Sequence, residues 1–179
     1  EHRLGGGQSL QVTAYRGERE TRQFQAIPVA VQTPPTHPGG VIDLGRSFQG
    51  LDARWISKSR VLDKPITLTA GVAIDEATES RRGFQNFIGP LLGVQGALRR
   101  DERNTVRSVD QYAQAQWAFA ERWSASAGLR HSRVKFASRD NYVVAGNADD
   151  SGAASYGATM PALGLVFHAN DSVNLYGAI

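Results

Sequence analysis

The sequence has 179 residues, of which 41% are hydrophobic and 21% are charged, so it is long enough and apolar enough for one folded domain. It contains no cysteine, which excludes disulfide frameworks, thiolate metal sites and cysteine nucleophiles. Its net charge of +3 comes from acidic and basic residues that are mixed along the chain, so no concentrated basic segment indicates nucleic-acid binding.

Alternating apolar and polar residues predict a series of β-strands, and proline, glycine and charged residues mark the connections between them. The opening strand is followed by a proline-rich loop, and a later loop is rich in glycine and arginine. In chain order the predicted elements are strand 9–17, loop 18–38, strand 41–59, turn 62–65, a strand from 66, loop 80–107, hairpin 110–136 with its turn at 120–122, loop 142–153, strand 155–169, turn 170–172 and a strand from 173.

The connections alternate between long and short. Successive connections of an up-and-down antiparallel sheet lie at opposite ends, so the short turns fall at one end and the long loops at the other. This asymmetry is typical of outer-membrane barrels, as are strands of about 12–19 residues. No run of about 18 apolar residues indicates a transmembrane helix, whereas transmembrane β-strands need only about 9–11 alternating residues. Residues 91–100 could form a helical turn or two; otherwise the sequence predicts an all-β fold of antiparallel up-and-down strands.

Each predicted strand has one apolar face and one polar or small face. Charges are nearly absent from the middle of the apolar rows, where an Arg or Lys would cost about 2–4 kcal/mol at a bilayer midplane. The apolar and polar residues of strand 41–59 change phase near Gly50, where we expect a β-bulge. Aromatic residues near the 120–122 turn suit an interfacial girdle, and the polar face carries candidates for structural pairing in a lumen: Trp117, Phe119 and Trp123 for the girdle, and Asp75, Glu79, Asp110, Gln114 and Gln116 for the lumen.

Three segments resemble one family. SVDQYAQAQWAFAERWSASAGLRHSRVKF and PALGLVFHANDSVNLYGAI are similar to barrel hairpins of TonB-dependent outer-membrane receptors, and RRGFQNFIG followed by GVQGALRRDE resembles a loop of the ferric-citrate-type branch. The resemblance implies a plugged barrel of about 22 strands in the outer membrane of a Gram-negative bacterium. It also implies the import of ferric siderophores with energy from TonB, no cofactor and no catalytic residue. Outer-membrane lipid and lipopolysaccharide are further expected partners.

Residues 1–179 are then expected to be part of a β-barrel domain in a longer protein. They would supply about seven of its strands. The plug, the remaining strands and the N-terminal part that engages TonB would lie outside this sequence.

The arginine-rich loop from residue 79 to 107 is the candidate ligand site. Arginine forks match carboxylates and phosphates, so this loop could hold an anionic ferric chelate. Lipopolysaccharide phosphates, or the nearby carboxylates of Glu79, Asp101 and Glu102, are the alternative partners. The candidate ligand-binding residues are Arg81, Arg82, Phe84, Arg99, Arg100 and Arg103.

Two other function classes stay open. A soluble β-rich binding module would turn the polar faces to water. An outer-membrane barrel hydrolase could use His131 beside the apolar row, although neither G-x-S-x-G nor H-E-x-x-H is present. The four histidines are far apart and lack metal-ligand spacing, so no metal site is expected. His37 in the proline-rich loop leaves haem uptake open, although no haem-receptor signature is recognisable.

Overall fold

The computed structural model describes residues 1–179, and most of them belong to one antiparallel sheet. Eight strands follow one another across it in chain order, so the predicted up-and-down, all-β fold is confirmed. A short two-stranded ribbon and a single 3-10 helix lie in the connections. The elements are β1 (His2–Gly5), β2 (Gln8–Phe24), the 3-10 helix (Val29–Gln32), β3 (Val41–Val61), β4 (Lys64–Phe84), β5 (Phe87–Ile88), β6 (Leu91–Leu92), β7 (Leu98–Ala120), β8 (Trp123–Asp140), β9 (Gly152–Asn170) and β10 (Val173–Ala178). The sheet order is β1-β2-β3-β4-β7-β8-β9-β10, and β5 pairs with β6.

The short connections lie at one end of the sheet and the long ones at the other, as predicted. Two-residue turns join β3 to β4 and β7 to β8, and Leu62 and Asp63 both have positive φ angles, of 51° and 59°. Two left-handed residues are what a two-residue type I′ hairpin turn requires. The long loops cover residues 25–40, 85–97 and 141–151. We call the two ends the short-turn end and the long-loop end.

Several strands extend further toward the long-loop end than the sequence predicted. β2 continues to Phe24, β4 to Phe84, and β7 begins at Leu98, so the predicted loop 80–107 shrinks to 85–97. Some charged residues in these extensions pair across strands, as Arg22 does with Asp43 at 3.0 Å. Strand pairing continues through all of them, so the charged residues did not mark a loop. The helical turn expected within 91–100 is also wrong, because these residues form β6, a short connection and the start of β7.

The sheet has eight strands where about seven were expected. The additional strand, β1, folds back on β2 through a glycine turn. Gly5, Gly6 and Gly7 have φ angles of 87°, 58° and 78°, a left-handed region that glycine enters without steric cost.

Cross-strand register sorts the side chains into two faces. Leu68 lies opposite Ala115, which lies opposite Ala127, which lies opposite Leu163. We call the face that carries these residues the outer face, and the face that carries Tyr15, Asp75 and Tyr112 the inner face. The outer face has an uncharged band next to the short-turn end, which we call the apolar band. Its members are Leu10, Val12, Ala14, Leu51, Ala53, Trp55, Ile66, Leu68, Ala70, Val72, Ile74, Val109, Ala113, Ala115, Trp117, Trp123, Ala125, Ala127, Leu129, Leu163, Leu165 and Phe167.

The bulge expected near Gly50 is wrong. Gly50 lies opposite Tyr15 on one side and Asp75 on the other, and the register of β3 shifts against neither neighbour. The apolar pattern changes phase because the outer face changes character along β3. Toward the short-turn end that face carries Leu51, whereas toward the long-loop end it carries Gln49, and the aromatic Phe48 lies on the inner face. A change of environment along a regular strand thus imitates the phase shift of a bulge.

The sheet has no hydrophobic core of its own. Val41 is the single buried hydrophobic residue. In the apolar band Val72 is 41% exposed, Leu129 53% and Leu165 44%, and no helix or second sheet packs over them. The chain contains no helix that is long and apolar enough to cross a membrane. Backbone pairing holds the sheet together: of the 122 backbone–backbone hydrogen bonds in the chain, 106 lie within its helices and strands.

Candidate functional site

Two tyrosines on the inner face lie across a glycine of the neighbouring strand, and each hydroxyl reaches a carboxylate on the strand beyond that glycine. Tyr15 is opposite Gly50, and its hydroxyl donates to Asp75 Oδ1 two strands away. Tyr112 is opposite Gly71, and its hydroxyl donates to Asp52 Oδ2 at 3.1 Å.

Both glycines are required by the close approach of the rings. A Cβ atom at Gly50 would lie 2.4 Å from Cζ of Tyr15, and one at Gly71 would lie 2.5 Å from the Tyr112 hydroxyl oxygen. Phe48 covers Gly17 in the same way, with 2.3 Å between its Cζ and the added Cβ. Three aromatic rings are therefore held flat against the inner face.

Several charged residues of the inner face form opposite-sign pairs. A guanidinium nitrogen of Arg130 lies 2.5 Å from Asp110 Oδ2, and that carboxylate is buried. Arg46 donates to Glu79 Oε2 from both Nε and Nη2, at 3.0 and 2.5 Å. Asp75, Glu79 and Asp110, which the sequence indicated as lumen-facing, thus pair within the sheet.

At the long-loop end a buried glutamine–asparagine pair locks two loops together. Gln32 Nε2 donates to Asn86 Oδ1 at 2.7 Å, and the Asn86 backbone N–H donates back to Gln32 Oε1 at 3.2 Å. Asn86 Nδ2 also donates to the carbonyl oxygens of Gln25 and Ile27, at 2.8 and 3.1 Å. Both residues are buried, so loops 25–40 and 85–97 form one unit. The sequence analysis missed this pair, since neither residue has a local signature.

The predicted cluster of ligand-binding residues is divided by the sheet. All six candidates lie in strands, where side chains alternate between faces, although Arg99 lies at an irregularity of β7 opposite the end of β4. Register places Arg81 and Arg100 on the inner face and Arg82 and Arg103 on the outer face. Phe84 ends β4. The expectation that these residues share one loop is wrong, because strand pairing continues through them.

The surroundings of these arginines also differ. Arg99 donates to the carbonyl oxygens of His37, at 3.4 Å, of Thr33, at 3.5 Å, and of Pro34, so it braces loop 25–40. On the outer face Arg82 lies 3.8 Å from Asp43. On the inner face Arg100 lies 2.8 Å from Glu102, whereas Arg81 has no carboxylate within ion-pair distance.

The inner face therefore carries a cluster of arginines near the long-loop end, which we call the inner rim. Arg81 and Arg100 belong to it, and register adds two arginines that the sequence analysis did not select. Arg19 lies opposite Arg46, and Arg46 lies opposite Glu79, two residues from Arg81 on the same face. The inner rim is Arg19, Arg46, Arg81 and Arg100, with Glu79 and Glu102 as its carboxylates.

One row of hydrogen-bonded side chains, Ser124, His168 and Asn174, resembles the serine–histidine arrangement of a hydrolase. Ser124 Oγ lies 3.1 Å from His168 Nε2, and His168 Nδ1 lies 2.7 Å from Asn174 Oδ1. An acyl-transfer site also needs free donors for an oxyanion. The backbone N–H of His168 is engaged with the Arg122 carbonyl at 2.8 Å. His131, the histidine that the sequence analysis considered, contacts Thr159 Oγ1 at 2.9 Å and no serine.

Comparison with known proteins gives one family and several similar folds. A family model described as TonB dependent receptor-like, beta-barrel, matches residues 1–179. The chain is similar to the ferric citrate transporter FecA in its unliganded form, with 15% identity and a TM-score of 0.75 over 98% of this chain and 25% of that one. The siderophore receptor PiuA from Acinetobacter baumannii matches with 11% identity and a TM-score of 0.77, over 99% of this chain and 30% of that one.

A third similar structure is the ferric-catecholate import receptor Fiu from E. coli K12, in an open form. It has 12% identity and a TM-score of 0.73, over 99% of this chain and 33% of that one. At such identities the likeness establishes the fold. The chain spans between 25% and 33% of the length of these three structures.

Proposed function

From the premise that the chain belongs to the TonB-dependent receptor-like β-barrel family, we propose that it forms part of the barrel wall of an outer-membrane receptor for ferric siderophores. The uncovered apolar band is the observation that carries this proposal. It faces hydrocarbon in the outer membrane of a Gram-negative bacterium, and the inner face looks into the lumen. In soluble proteins a helix or a second sheet covers such a band, so the uncovered band argues against the alternative of a soluble β-rich binding module.

Residues 1–179 form part of a barrel domain in this proposal, and the remaining strands and the plug belong to other parts of a longer protein. The open edges of the sheet support this, because β1 and β10 each have one neighbour. A spanning sheet in lipid must have both edges paired. The short turns then lie on the periplasmic side and the long loops outside. TonB acts through the N-terminal part of the whole receptor.

The inner rim is the proposed contact for an anionic ferric chelate. Arg81 lies opposite Glu102 but forms no ion pair with it, and Glu102 pairs with Arg100 instead, so the Arg81 guanidinium is available to the carboxylate or phenolate oxygens of a chelate. Arg100 and Arg46 each have one carboxylate, which leaves further donors on both guanidinium groups. Binding and passage are non-covalent, and no residue is assigned a catalytic role.

Two double variants of the whole receptor test this contact. Arg81→Gln with Arg100→Gln removes two charges from the inner face, and Arg82→Gln with Arg103→Gln removes two charges from the same strands on the outer face. We expect the inner pair to weaken binding of the cognate ferric siderophore by about tenfold or more, since each charge-assisted bond contributes about 1.5–3 kcal/mol. We expect the outer pair to change affinity by less than about twofold.

The measurement is equilibrium binding of ferric siderophore to purified receptor in detergent. Migration that shifts on heating in gels serves as the folding control for both variants. Equal affinities for the two variants would remove the inner rim from the ligand site.

A further inference from the structure

The middle of loop 25–40 is rich in proline and carries no charged residue. Residues 33–38 read Thr-Pro-Pro-Thr-His-Pro, and we call this segment the strap. Proline fixes its own φ angle at about −65° and restricts the residue before it, so the strap has few conformations open to it. A segment of this kind loses little conformational entropy when it is held in one place.

The strap crosses the inner face of the sheet at the long-loop end. Gly83 belongs to the inner face, and a Cβ atom added to it would overlap the carbonyl oxygen of Pro38. A Cβ atom at Gly146 would lie 2.8 Å from Cγ of Pro35, so the strap also touches loop 141–151. It therefore runs along the inside of the sheet, from the end of β4 toward the loop that follows β8.

One side chain holds the middle of the strap. Arg99 donates from Nε to the His37 carbonyl, and from one Nη to the carbonyls of Thr33 and Pro34. The planar fork of a guanidinium can serve several acceptors at once, which suits this row of carbonyl oxygens. Arg99 belongs to none of the six ion pairs, so the strap is the partner of its charge in the structure.

Both ends of the strap are anchored as well. Before the strap, Gln32 is bonded to the buried Asn86 in both directions. After it, the Gly39 backbone N–H donates to His37 Nδ1 at 3.0 Å, and the Gly40 carbonyl accepts a backbone hydrogen bond at 2.8 Å. The three flanking residues, Gln32, Gly39 and Gly40, are buried. The strap is thus held at its middle and at both ends.

The strap lies beside the inner-rim arginines of β4 and β7. Gly83, which the strap covers, is directly opposite Arg100 and is two residues from Arg81, about 7 Å along the same face. Arg81 and Arg100 are half-buried, whereas the rim arginines of β2 and β3, Arg19 and Arg46, are exposed. The strap therefore covers one side of the inner rim and leaves the other side open.

We propose that the strap is a fixed wall of the lumen mouth, and that Arg99 is the positioning residue that sets its distance from the inner rim. The strap then limits the size of an anionic chelate that reaches Arg81 and Arg100 together. Arg99, which the sequence suggested as a ligand contact, acts through the strap instead. The identity of the ligand rests on the proposed function, whereas the fixed position of the strap does not.

Two variants of the whole receptor release the strap in different ways. Arg99→Gln removes the guanidinium, and Gln32→Leu breaks the bond to Asn86 without a change of charge. Arg107→Gln is the matched control, because it removes an exposed arginine of the same strand that lies on the outer face and forms no ion pair. Heat-modifiable migration in gels confirms that each variant is folded.

A spin label at position 36, an exposed residue of the strap, reports the mobility of this segment. We expect an immobile label in the wild type and in the control. In both release variants the mobile population should rise about tenfold or more, because a charge-assisted or buried hydrogen bond no longer opposes local opening. A mobile label in the wild type, or an immobile label in Arg99→Gln, would overturn the proposal.

Thiol labelling at position 81 measures the size limit. Arg81→Cys is added to each background, and intact cells are treated with a small methanethiosulfonate reagent or with a maleimide on a bulky polymer. We expect release of the strap to raise the labelling rate of the bulky maleimide about tenfold or more, and that of the small reagent less than about twofold. An unchanged ratio of the two rates in both release variants would contradict the size limit.

Neither measurement uses a ferric chelate, so this proposal and the proposed function fail separately. A receptor with an immobile strap that binds no ferric siderophore would contradict the transport proposal and leave the strap standing. A receptor that binds ferric siderophore while its strap is mobile would contradict the strap and leave the transport proposal standing.

Discussion

Arg130 and Arg133 lie three residues apart on β8 and on opposite faces of the sheet. Arg130, on the inner face, is paired with the buried carboxylate of Asp110 at 2.5 Å. Arg133, on the outer face, has no carboxylate partner. The same contrast holds across β7 and β8. Their inner-face arginines, Arg100 and Arg130, are paired with carboxylates, whereas the outer face is first free of charge and then carries basic residues that form no ion pair.

This difference indicates what each face contacts. An inner face with tyrosine–carboxylate bonds and ion pairs can border water or other protein without an external partner. The apolar band of the outer face is not covered by other parts of the chain, so its side chains need an apolar environment outside the protein. Lipid hydrocarbon is such an environment. The two faces share one backbone and one register, so side-chain chemistry alone distinguishes them.

The comparison is tested most strongly at two adjacent residues of β7. Ala113 lies in the apolar band and Gln114 on the inner face. We expect Ala113→Arg to destabilise the full-length receptor by about 2–4 kcal/mol in a bilayer, because it places a charge in hydrocarbon. Gln114→Arg should cost less than about 1 kcal/mol, since it replaces a polar side chain at a polar face. Reversible denaturant unfolding in lipid vesicles measures both, and equal costs would contradict the assignment of the faces.

A smaller effect is expected from the two arginines of β8. Arg130→Gln leaves the buried Asp110 carboxylate without its charged partner, so we expect a loss of about 1–3 kcal/mol of stability. Arg133→Gln removes an unpaired charge and should change stability by less than about 0.5 kcal/mol. The same unfolding assay applies. If the two variants lost stability equally, inner-face pairing would not distinguish the faces.

Most of the fold could be predicted because it depends on short-range pattern. Alternation such as Ile66-Thr67-Leu68-Thr69 reports which face each residue occupies, and the alternation of short and long connections reports an up-and-down sheet. The strand ends were mispredicted because charge was taken to mark loops. Once a strand leaves the membrane, both of its faces can be polar, so the alternation that identifies a strand disappears while the pairing continues.

The functional surfaces depend on register, which the sequence alone does not report. Arg46 and Glu79 lie far apart in the sequence, and only the ladder between β3 and β4 brings them opposite each other. The same holds for Tyr112 over Gly71 and for Gln32 with Asn86. The arginines selected from the sequence as one loop cluster were divided between two faces for the same reason, because neighbours along a strand point in opposite directions.

The most direct test of the central claim is the environment of single spin labels at positions 113 and 114 in the full-length receptor in a bilayer. This chain contains no cysteine of its own, so each label can be introduced at one new thiol. The account predicts that a label at position 113 collides with oxygen dissolved in the lipid and is shielded from a water-soluble nickel reagent, and that position 114 shows the reverse. Equal access of the nickel reagent to both positions would contradict it.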